Sequence, residues 1–203
     1  MLLKYSLNLN MTRYEFGGGK MNHVEPIRQV EDIKRMYEVM QGKNMRDYLF
    51  FKFAIHTGVK LNDLLNLTVS DVQEADGSIK AFWIEPHAPT IEIMLPQDLQ
   101  EELSTYIKSH QLSPTGLLFY SSRTHAALSR QQAYRIVHEA AHQLSLEHIG
   151  LNTLRKTFAY QAYQSGVSLA IIQKYLGHQT TIETLKFIGI SQQVDRTTIA
   201  LNL

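Results

Sequence analysis

The chain has 203 residues, 44% of them hydrophobic and 19% charged, a composition that supports one domain around a substantial core. It has no cysteine and no apolar run near the roughly 18 residues of a membrane span, which excludes disulfide scaffolds, thiol chemistry and a spanning helix, and suits a cytoplasmic protein. A net charge of +1 neither requires nor forbids nucleic acid, because binding depends on where Lys and Arg cluster.

Residues 1–20 differ from the rest and end in Glu15-Phe16-Gly17-Gly18-Gly19-Lys20, just before Met21. They read as an extension apart from a folded domain of residues 21–203. Either they form a flexible arm, or the purine-rich codons of Gly-Gly-Gly-Lys are a ribosome-binding site ahead of a true start at Met21.

From there the pattern is mostly helical. Residues 30–41 place Ile33, Met36, Tyr37 and Met40 on one stripe, and Gly42 ends that helix. Residues 45–56 are apolar nearly all round, as in a buried central helix. Thr57-Gly58 turns into a short helix that packs Leu61, Leu64 and Leu65 inward. Residues 79–84 and 91–95 read as two strands, joined by a loop carrying Pro86 and Pro89. A helix over 97–110 follows. Ser129 and Gln132 form a capping box that opens a helix to about residue 144, and further helices are expected over 153–165, 168–176 and 180–187. The fold class is mainly α with a small antiparallel β-sheet at its edge.

Two sets of residues bear on chemistry. His138-Glu139-Ala140-Ala141-His142 fits HExxH, and His148 stands where some zinc enzymes carry a third ligand. The helix would have to break after His142. Zinc enzymes with HExxHxxGxxH use a glycine for that break, and Ser145 stands here instead. The alternative is an exposed helix face that holds two histidines and a solvated Glu139.

The second set is four separated segments: His56-Thr57-Gly58-Val59-Lys60-Leu61-Asn62-Asp63-Leu64-Leu65-Asn66-Leu67; the paired strands and their loop; Asn152-Thr153-Leu154-Arg155-Lys156-Thr157-Phe158; and Leu176-Gly177-His178 followed by Thr184-Leu185-Lys186-Phe187. In order and spacing these resemble the catalytic domain of tyrosine recombinases, the phage-integrase and Xer-like family. The likeness covers about residues 22–203 and is strongest to short, arm-less members from Gram-positive bacteria and their mobile elements. It implies a helix near DNA, without metal, where the HEAAH segment lies.

The resemblance implies a reaction in which a tyrosine attacks a DNA phosphodiester to form a phosphotyrosine, with no cofactor or metal. Two arginines with His and Lys donors would stabilise the charge that builds on the phosphate. Carried over by position, the family's residues fall on Lys60, His87, Asn152, Arg155, His178 and Phe187, of which only Arg155 and His178 match its pattern. Lys60 keeps the charge but not the two-pronged grip of arginine. Asn152 cannot transfer a proton, and Phe187 has no oxygen with which to attack. Tyr175 is considered as a displaced nucleophile, with Tyr160 and Tyr163 read as packing residues.

Arg155 is either a phosphate contact or a partner in a buried ion pair. Lys60, Lys156, Arg123, Arg130, Arg135 and Lys174 complete the expected DNA contacts, and double-stranded DNA is the expected partner. The expectation is a DNA-binding protein that no longer cuts and acts as a regulator or accessory factor of recombination. The alternatives are an active recombinase with an unusual site and a protein-interaction module that pairs with an active recombinase. The apolar tail from Ile188 to Leu203 would mediate homo-oligomers or that pairing, or else fold onto its own core.

Overall fold

A computed structural model describes residues 24–190. The expectations for residues 1–20 and for most of the tail lie outside the described residues. Among those residues no helix is long and apolar enough to cross a membrane.

The core forms around α2 (Met45–Thr57), where Tyr48, Leu49, Phe50, Phe51, Phe53, Ala54 and Ile55 are all buried. Its composition dictates this place, since each large apolar side chain taken from water contributes about 1.5–3 kcal/mol. Asn44 caps the helix, its side chain accepting the Arg46 N–H at 2.9 Å. Gly58 ends it in the left-handed conformation at φ 63°.

The preceding helix α1 (Val30–Gln41) lays Ile33, Met36 and Met40 on α2. Gly42 follows it at φ −66°, so this helix ends without using glycine's conformational freedom. After Gly58 come α3 (Leu61–Leu65) and α4 (Val69–Val72). The four-residue α4 has too little length for a hydrophobic period, so the sequence reading passes over it. It is held at its start by Asp71, whose carboxylate accepts the Thr68 N–H at 2.7 Å and the Thr68 hydroxyl at 2.6 Å.

Strands β1 (Phe82–Ile84) and β2 (Glu92–Met94) pair antiparallel with Trp83 opposite Ile93. The first is shorter than the sequence suggests because Ile79 pairs back to Gln73. Then α5 (Gln97–Ser109) packs Leu99, Leu103, Tyr106 and Ile107 inward. The capping box of α6 (Arg130–Gln143) is as expected, with Ser129 Oγ accepting the Gln132 N–H at 3.1 Å and Gln132 Oε1 accepting the Ser129 N–H at 2.9 Å.

The helix α7 (Leu151–Gln164) runs against α2 and links two cores. Its Leu154 belongs to the large one around α2. Its Ala159 belongs to a smaller one with Ala88, Ile172, Tyr175, Leu176, Leu185 and Ile188, built by α8 (Leu169–Leu176) and α9 (Thr181–Phe187). Ala88 comes from the loop between the strands, so that loop is pinned beside the start of α8–α9 packing. The molecule is mainly α with one small two-stranded antiparallel sheet, as the sequence suggests.

Candidate functional site

Arg155 projects from α7 into the seam between the two cores, with 14% of its side chain exposed. Its Nη1 donates to the Gly58 carbonyl, and its Nη2 to the carbonyls of Tyr175 at 3.3 Å and Leu176 at 3.4 Å. One guanidinium thus ties the α2–α3 turn to the end of α8. Glu85 lies 4.0 Å from Nη1 and is fully buried. Burial lowers the Arg155 pKa and Glu85 opposes that shift; a guanidinium stays charged in either case.

Around this residue the structure gathers most of the expected positions. Burial raises the Glu85 pKa, and Arg155 and Lys60, at the start of α3, oppose that shift. His87, exposed on the strand loop, places Nε2 4.0 Å from Asp63 Oδ2. His178 follows Gly177, with Nδ1 3.0 Å from Thr184 Oγ1 and its ring meeting the edge of Phe187 at 5.0 Å. Thr184 gives its hydroxyl proton to the Thr180 carbonyl, so its oxygen accepts from His178 Nδ1–H and leaves Nε2 an acceptor. Burial lowers the His178 pKa, with Glu183 opposing it.

The other expected contacts are spread more widely. Lys156 is buried; its Nζ donates to the Val24 carbonyl at 2.8 Å and sits 5.4 Å from the centre of the Phe187 ring, away from solvent. Asn152 is exposed in the first turn of α7. Arg130 reaches Asn62 Oδ1 at 2.9 Å and so borders α3 and the site. Arg135 faces another way, 3.7 Å from Glu139 and lining a cleft with Lys43 and Arg46. Arg123 and Lys174 are exposed.

The tyrosines considered as substitutes are accounted for. Tyr175 is 2% exposed and its hydroxyl donates to the Thr57 carbonyl, with burial pushing the phenol pKa up. Tyr160 and Tyr163 pack against the smaller core.

The family model described as "Phage integrase family" matches residues 28–189. The chain belongs to the phage integrase family. It is 37% identical over 178 residues to "Probable integrase/recombinase YoeC" of Bacillus subtilis (strain 168), covering 87% of this chain and 95% of that one. The crystal structure of XerA recombinase superposes with a TM-score of 0.66 at 20% identity, covering 90% of this chain and 64% of XerA. A pre-cleavage complex of the XerH site-specific recombinase bound to difH substrate gives a TM-score of 0.62 at 20% identity, over 81% of this chain and 50% of XerH. This integrase-family chain therefore spans under two thirds of either solved recombinase, and what it shares with them at that identity is the fold.

The HEAAH segment of this integrase-family chain lies on α6 with His138, Glu139 and His142 exposed. The helix does break after it, although no glycine is present. Ser145 adopts φ 56°, while the N–H of Leu146 bonds the Ala141 carbonyl at 3.0 Å and that of Ser145 bonds the His142 carbonyl at 3.1 Å. Those paired bonds close the helix end and offset the cost of a serine in the left-handed region. His138, His142 and His148 line one cleft, but their ring nitrogens do not come together as a metal-ligating group. Among the described residues, the one cluster with metal-ligating geometry is Asp63, Glu85 and His87.

The sequence reading missed Glu85 and Asp63. Strand alternation carried a signal for the first: Trp83 is buried in β1, and two residues later Glu85 lies on the same face.

Proposed function

We propose that this chain binds duplex DNA through a phosphate held by Arg155 and Lys60, forms no covalent adduct with it, and serves recombination as a regulator or accessory factor. The observation that carries this reading is Phe187, a ring without a hydroxyl packed on His178, at the position that the resemblance gives to the nucleophile. The burial of the Tyr175 hydroxyl against Thr57 supports it, because the phenol whose ring faces Arg155 is committed to the core. The XerH complex contains DNA on a similar fold, and that supports DNA as the partner. Retention of charge at Lys60 and Arg155 fits a protein that holds phosphate, since such contacts orient a protein on DNA without reaction.

The test selects duplexes bound by the protein from a random-sequence library and rebuilds the enriched sequence with a nick beside each candidate cleavage position. Wild type binds with log affinity falling as log salt rises. Arg155→Gln weakens binding by about tenfold or more, as expected for loss of a charge-assisted hydrogen bond. No protein–DNA adduct survives denaturing electrophoresis. An adduct with wild-type protein would overturn the cleavage part of the reading, and salt-independent or absent binding the DNA part.

A further inference from the structure

Beside Arg155 the protein collects carboxylate oxygens that its own hydrogen bonds leave unused. Asp63 Oδ2 and both oxygens of Glu85 are buried and have no hydrogen-bond partner within the protein. Glu85 is 0% exposed. A buried acceptor left this way destabilises the fold, and more so when it is charged. Arg155 offsets charge from 4.0 Å, but its N–H groups are directed to the carbonyls of Gly58, Tyr175 and Leu176. The Trp83 indole Nε1 is likewise buried without a hydrogen-bond partner.

The third member of the cluster is an imidazole. His87 is carried by a loop stiffened at Pro86 and Pro89 and pinned through buried Ala88. Ligand atoms of Asp63, Glu85 and His87 all lie within 4.8 Å of one another. Opposite ligands of a cation with bonds of about 2.3 Å stand about 4.6 Å apart, so small side-chain adjustments close the set. We propose that Asp63, Glu85 and His87 form a binding site for a divalent metal ion, with two carboxylate ligands and one imidazole. The ion satisfies the orphaned oxygens of both acids at once. Lys60 and Arg155 border it, so the loaded site presents a stronger positive field to an approaching phosphate.

A mixed oxygen and nitrogen donor set suits Mn²⁺ or Zn²⁺ better than Mg²⁺. The test uses Mn²⁺ and the full chain without DNA, so that its result is independent of the DNA-binding reading. Zn²⁺ is the poorer probe, because the exposed His138 and His142 on α6 would compete for it. Electron paramagnetic resonance of free Mn²⁺ is expected to show one ion bound per chain. His87→Ala, on an exposed loop, and Glu85→Gln are each expected to weaken binding at least about tenfold, as even outer-shell changes do at metal sites. Circular dichroism checks that both variants fold, and His87→Ala decides alone if Glu85→Gln does not. Wild type without a stoichiometric ion, or His87→Ala binding Mn²⁺ as tightly as wild type, would overturn the site.

Discussion

Gly58 is the residue on which the setting of Arg155 turns. At φ 63° a side chain is strained, and a Cβ there would run into the Phe158 ring. Its carbonyl also accepts from Arg155. Gly58→Ala is therefore expected to cost roughly 2–5 kcal/mol, summing the left-handed penalty and overpacking. Urea unfolding measures this, and a cost of only about 1–2 kcal/mol would mean that the ring simply moves aside. Phe187→Tyr restores the missing hydroxyl but leaves Lys60, His87 and Asn152 in place, so no adduct is expected from that change alone in the nicked-duplex assay. The imidazoles supply a pH dependence. Burial lowers the pKa of His56, whose Nε2 lies 3.1 Å from the Tyr37 hydroxyl, and that of His178. The unfolded chain then binds more protons than the folded one below the ordinary histidine value of about 6.5. Stability is thus fully present above about pH 6.5 and is lost as pH falls through the lowered folded values. Unfolding free energies at pH 7.5, 6.5 and 5.5 should show that decline, and His56→Gln and His178→Gln should each flatten it.

Among the described residues, packing between elements breaks its apolar rule at Lys52, Glu85 and Lys156, and the first shows how. Lys52 is buried in α2, yet its Nζ donates to Asp98 at 2.6 Å, Glu102 at 2.8 Å and the Tyr48 hydroxyl at 3.0 Å. Burial alone would lower its pKa, but those hydrogen bonds outweigh it and hold the ammonium above its ordinary value. The clamp fastens α2 to α5, and its two sides are not equivalent. Lys52→Met leaves Asp98, 65% exposed, and Glu102, 26% exposed, within reach of water, and should cost about 1 kcal/mol or less. Removing both acids with Asp98→Asn and Glu102→Gln strands a buried charge and should cost about 3 kcal/mol or more. Equal losses in denaturant melts would sink that asymmetry. The same contrast explains what the sequence made legible. The stripe of α1 and the capping box of α6 are local patterns, so their limits follow from residues a few places apart. Arg155 and His178 were found through motif spacing. Lys52 hides inside an apolar run and is defined by partners far along the chain that no local pattern announces, whereas Glu85, just past a three-residue strand, leaves only its alternation with Trp83 as a local sign.

At the scale of the whole molecule the two cores differ in size, and the site straddles them. Arg155 sits on α7 beside Leu154 of the large core, whereas His178 and Phe187 belong to the α8–α9 unit of the small one. That unit is held by Ile172, Tyr175, Leu185 and Ile188 and by the bonds from Arg155 to the carbonyls of Tyr175 and Leu176. A unit with less buried apolar surface opens at lower free energy than the global transition. Native-state hydrogen exchange should therefore give α8 and α9 amides lower opening free energies than those of α2 and α5. Ile172→Ala, which removes a side chain only 2% exposed, is expected to lower the α8–α9 values by about 2–5 kcal/mol, as core truncations do, and to leave α2 much less affected. Uniform protection across both units, or equal loss in both after Ile172→Ala, would show one cooperative core. If the units do separate, opening of α8–α9 withdraws His178 and Phe187 while Arg155 and Lys60 stay with α2 and α3. Weak, salt-sensitive phosphate binding should then persist under conditions where the small unit is already open. Anisotropy of labelled duplex measured beside hydrogen exchange in mild urea would detect that persistence.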